Sequence, residues 1–75
     1  MKTFHAGDYI ICIDKDWGGQ QYVYGHVYKV LRSTVDGRVQ TLDSQRYKNG
    51  WGIHHFKLIG PTLTRLQREL FTVIE

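Results

Sequence analysis

The sequence holds a single cysteine, Cys12, so no disulfide within the chain can staple it. That suits a reducing compartment, and the expected setting is the cytoplasm. No run approaches the ~20 apolar residues of a membrane span, and no N-terminal apolar stretch resembles a signal peptide, so no membrane partner is expected. Linkers, low-complexity stretches and internal repeats are missing as well. Proline occurs once, at Pro61, where the one change of pattern falls. Length is short too. A chain of 75 residues buries only about 60% of the surface it exposes when unfolded, which leaves a thin core and a small stability margin.

Catalytic constellations are also lacking. There is no Gly-x-Ser-x-Gly elbow and no phosphate-cradling glycine loop. Cys12 lies inside an apolar run, where a thiol is buried and inert. Four histidines are present, but His54 and His55 are adjacent and point to opposite faces of a strand, while His5, His26 and Cys12 lack zinc-ligand spacing. Asp14 and Asp16 read as solvated loop acids at a strand end. No catalytic residue, metal or cofactor is expected, and the chain reads as a binding protein rather than an enzyme.

What the sequence has is short β-rich runs split by glycine turns. Asp8 to Asp14 is almost wholly apolar between its end residues, as in a strand covered on both faces. Tyr22 to Leu31 reads as a long strand bent at Gly25. Asp36-Gly37 lies between Ser33-Thr34-Val35 and Arg38 to Leu42, and an Asp-Gly pair flanked by strand formers is a hairpin signal because both turn positions take positive φ. Asn49-Gly50 repeats the device before Trp51, and Phe56 to Ile59 is the last run before Gly60-Pro61. From Thr62 the apolar spacing becomes helical, with Leu63, Leu66, Leu70 and Ile74 on one side and Phe71 on another. Thr64 or Thr62 caps this helix, and Gln67 completes a capping box with Thr64. About three turns of helix do not stand alone, so docking on the barrel or on a second copy is expected. The expected architecture is mainly β: a five-stranded small barrel over 1–60, with one C-terminal α-helix over 61–75, forming a single domain.

Gly7-Asp8, Ile10, Cys12, Gly25 with Tyr28 and Val30, Gly50-Trp51 and Phe56-Lys57-Leu58-Ile59 resemble the small SH3-like barrels common among bacteriophage and bacterial proteins. The resemblance covers residues 4–59 and leaves the helix outside. It implies a fold rather than a chemistry, since the shared residues are turn glycines and core apolars. It also implies a phage-encoded accessory factor that binds and modulates a host or phage protein, in the host cytoplasm.

Aromatic residues mark the expected partner-binding surface. Trp17, Tyr22 and Tyr24 belong to the first loop and its return strand, and Tyr47 and Trp51 flank the last turn; in SH3-like barrels these regions adjoin. Trp51 is either a core plug or a groove wall. Trp17, beside Gly18-Gly19, reads as the binding anchor. Charge supports a second class of partner. Of the net +3, the middle third carries the focus: Lys29, Arg32, Arg38, Arg46 and Lys48 stand against Asp36 and Asp43. Arg32, Arg38, Arg46 and Lys48 are the candidate nucleic-acid contacts, balanced by those two interleaved acids. A third class is an oligomer whose interfaces hold a nucleotide-like small molecule. Leu63, Leu66, Leu70, Phe71 and Ile74 are the candidate docking or self-association residues.

Overall fold

A computed structural model describes residues 3–15 and 21–75. The chain is mainly β, with strands β1 (Tyr9–Cys12), β2 (Val27–Val35), β3 (Arg38–Leu42), β4 (Lys48–Gly52), β5 (Phe56–Gly60) and β6 (Val73–Ile74). One short helix, α1 (Arg65–Leu70), precedes β6, and a 3-10 turn (Ile53–His55) joins β4 to β5. The sheet runs β4-β3-β2-β1-β5, with β6 paired alongside β2. All pairings are antiparallel except β2–β6, which is parallel.

Two features depart from a closed five-stranded barrel. The sheet has six strands and is open, its edges β4 and β5 making no ladder with each other. The 3-10 turn between them changes the chain's direction without the hydrogen bonds that would close a barrel. The C-terminal segment is also not one helix. Thr64, rather than Thr62, starts α1: its hydroxyl accepts from Gln67 N while Gln67 Oε1 accepts from Thr64 N, the reciprocal capping box. The helix stops at Leu70, and Thr72-Val73-Ile74 returns as an extended β-branched segment. Ile74 thereby sits on β6 and in the core, not on a helical stripe. Leu66 and Leu70, expected to dock, are 62% and 69% exposed.

Local turn chemistry explains the hairpins. Asp36 and Gly37 take φ of 52° and 74°, the expected two-residue turn between β2 and β3. Asn49-Gly50, by contrast, lies inside β4. The β3–β4 turn falls earlier because Asp43 captures it. The Asp43 carboxylate accepts from Gln45 N (2.9 Å), Tyr47 N (3.1 Å) and Asn49 Nδ2 (3.3 Å). Tyr22 to Gly25 likewise forms turns ahead of β2 rather than its first half. The core unites Phe4, Ile10, Cys12, Tyr22, Tyr28, Val30, Val39, Phe56 and Ile74. The two phenols of this cluster are satisfied, Tyr22 by Thr41 (2.9 Å) and Tyr28 by Ser44 (2.6 Å) and Val23 N (2.7 Å).

Candidate functional site

Strand alternation points Trp51 toward the core, since its partner across the ladder is the buried Val39. Its indole is sandwiched. Tyr22 stacks on one side at 5.4 Å and 10°, and His55 at 3.4 Å and 11°. His54 continues the column, its ring 3.9 Å from that of His55. The two imidazoles meet because they ride on the 3-10 turn and not on a strand, where they would point apart. Gly52 makes this approach available: a Cβ there would lie 2.8 Å from His54 Cε1. At the rim, His55 Nδ1 is 2.7 Å from Asp14 Oδ2. Asp14 is therefore a positioning residue for the imidazole that covers Trp51, and not a purely solvated loop acid.

Beside this column opens a cleft of about 410 Å³ lined by Ile13, Asp14, Lys15, Tyr24 and His54. Tyr24 is half exposed, and Lys15 Nζ sits 5.0 Å from its ring centroid. Ile13, the last apolar residue of the first run, is uncovered and forms an apolar wall. The cleft thus offers one aromatic face, one aliphatic face, a carboxylate, an ammonium and an imidazole. The nearby thiol, Cys12, is buried, and burial pushes its pKa up, which disfavours the thiolate. Among the described residues no three His, Cys, Asp or Glu side chains gather into a metal cluster, and none of the helices is long and apolar enough to cross a membrane.

No protein-family model, curated protein or solved structure matches this chain.

The aromatic set divides. Tyr22 is a correction: it is buried in the core, where loss of water pushes its phenol up to about 12, and it presents no partner-binding surface. Trp51 is half-buried and backs the cleft through His55. Tyr24 lines the cleft, while Tyr47 stands 68% exposed beside the β3–β4 turn. The first loop and that turn do adjoin, as Ser44 N donates to Gln21 O at 2.6 Å. Trp17 lies outside the described residues. Of the basic candidates, Arg32 and Arg38 share a second cleft of about 420 Å³ with Val35, Gln40 and Gly50. Lys48 is at the other end of the same hairpin, and Arg46 donates to the Glu75 carbonyl at 3.3 Å. Leu63 and Phe71 are half-buried around α1. Ile13, Asp14, Lys15, His54 and His55 were not singled out as binding residues from sequence. The Asp14–His55 pair spans 41 residues, and no local pattern carries it.

Proposed function

We propose that this chain is a non-enzymatic binding protein on an SH3-like frame, and that the Tyr24 cleft takes a short segment of a protein partner. The frame is supported by the strand order, which sets the sequence neighbours β4 and β5 at opposite edges, and by the 3-10 turn that links them. That is the layout of a small barrel opened along one seam. The observation that carries the function is Tyr24, half exposed at a cleft whose other walls are Ile13 and His54. An aromatic residue left at a cleft mouth forgoes burial in a domain short of core, and it matches the anchor geometry of interfaces. Asp14 and Lys15 flank it with opposite charges, which orient a polypeptide backbone or polar side chain. The Asp14–His55–Trp51–Tyr22 column ties one wall to the core, so the cleft is preorganised.

Affinity capture from a cell lysate with wild type and Tyr24→Ala identifies the partner as the protein lost by the variant. Titrating that purified partner into labelled protein should then shift the amide signals of Ile13, Lys15, Tyr24 and His54. Tyr24→Ala should leave the melting temperature nearly unchanged. Shifts confined to other surfaces, or unfolding of the variant, would defeat the assignment.

A further inference from the structure

We infer that the outer face of β2, β3 and β4 binds the phosphodiester backbone of single-stranded nucleic acid, independently of the Tyr24 cleft. The sequence carries its positive charge in this segment, with Asp36 and Asp43 interleaved as a counterweight. Folding withdraws one of these two acids. None of the strands β2, β3 and β4 holds an acidic residue. Asp43 is only 2% exposed and spends its carboxylate on three N–H donors of its own turn. Asp36 stays exposed on the tip of the β2–β3 hairpin, two residues from Arg38, and among the described residues is the one acid left at this edge of the face.

The cations fall on one side. In β3, Val39 and Thr41 are buried, so Arg38 and Gln40 face outward by alternation. Across the ladder Gln40 pairs with Gly50 and with Arg32, Arg38 pairs with Gly52, and Leu42 with Lys48. Arg32, Arg38, Gln40 and Lys48 therefore share a face, and cross-strand partners lie side by side. Among the described residues, none of these three cations forms an ion pair; Arg38 makes only a 3.3 Å bond to the Gly50 carbonyl. The strip runs about 13 Å from Arg38 to the Lys48 end, four strand residues at ~3.4 Å each.

Shape favours an unpaired strand over a duplex. Gly50 leaves the centre of this face without a side chain, so an extended backbone can lie close to it, while the His54 imidazole covers Gly52 at one end. Val35 and the aliphatic stem of Arg32 wall the second cleft, apolar contact suited to a sugar.

The test is fluorescence anisotropy of the whole chain with a labelled thymidine oligonucleotide of about 20 nucleotides. Three phosphates neutralised give a log–log salt slope near −2, so affinity should fall about 20-fold between about 50 mM and 200 mM salt. Arg32→Gln with Arg38→Gln and Lys48→Gln should abolish binding, and Arg38→Gln alone should flatten the slope by about 0.7. Gln40→Glu, a near-isosteric surface change, should weaken binding at every sequence. Lys57→Gln, on β5, should bind like wild type, and so should Tyr24→Ala. Absence of binding at low salt, a triple variant that binds as wild type does, or a duplex bound as tightly would each overturn the inference.

Discussion

Asp43→Ala is the perturbation whose cost can be worked out most directly. The carboxylate is 2% exposed and accepts from two backbone N–H groups and one side-chain amide, at 2.9, 3.1 and 3.3 Å. A hydrogen bond to a charged group contributes about 1.5–3 kcal/mol and a neutral one about 1. Gln45 and Tyr47, whose amides donate, are themselves exposed, so water replaces part of what is lost. A total cost of about 2–3 kcal/mol follows. The whole domain is expected to hold about 4–11 kcal/mol. For a chain of this size that cost corresponds to a fall in Tm of about 10–20 °C. Asp43→Asn keeps an acceptor for the two amides while losing the charge, and should cost about 1 kcal/mol. Calorimetry of the pair, with hydrogen exchange at the Gln45 and Tyr47 amides, measures both. If Asp43→Ala melts within about 2 °C of wild type, the carboxylate does not hold the turn. The register of β4 would then need another cause.

Two further outcomes follow from the C-terminal segment. Ile74→Ala should destabilise by about 2–4 kcal/mol because it empties a core position, whereas Leu66→Ala on the exposed helix face should stay within about 0.5 kcal/mol; equal losses in urea titrations would contradict the strand assignment. Glu75 accepts from Tyr9 Oη (2.6 Å) and from Arg68 Nη1 (2.9 Å), and these bonds hold its carboxyl below the usual value of 4.5. A depressed folded-state pKa gives stability that is present above the unfolded value and lost as pH falls through the folded one. Melting temperature should therefore drop more steeply for wild type than for Glu75→Gln as pH is lowered from about 5 to about 2, and parallel curves would show that the clasp contributes nothing.

The candidate site was legible only in pieces. Tyr24 stood out as one of the aromatic residues of the first loop and its return strand, yet nothing near it in the chain announces His54. The Asp14–His55 bond joins the end of β1 to the turn before β5. Neighbours of that kind arise because β1 pairs with β5, a contact the sequence does not encode locally. Tyr22 looked like its neighbour Tyr24, and only packing against Tyr28 and Phe56 separates a core ring from a surface one. The basic strip shows the same limit: Arg32, Arg38 and Lys48 were visible, but the inward turn of Asp43, which removes one of the two interleaved acids, was not.

By itself the sequence determined whatever depends on a few adjacent residues. The mainly β character follows from branched and aromatic runs, the β2–β3 turn from an Asp-Gly pair, and the capping box from Thr64 and Gln67, although the choice of Thr64 over Thr62 as the cap was left to the structure. Each is set by backbone sterics or a hydrogen bond within about four residues. Tertiary structure alone decided the rest. Ile74 has the right spacing to extend a helix, but burial in the core and pairing with Tyr28 draw it into β6. Asn49-Gly50 has turn chemistry, but the Asp43 carboxylate places the turn earlier and leaves the pair in β4. In both places a local preference of about 1 kcal/mol gives way to buried contacts and hydrogen bonds worth several times that.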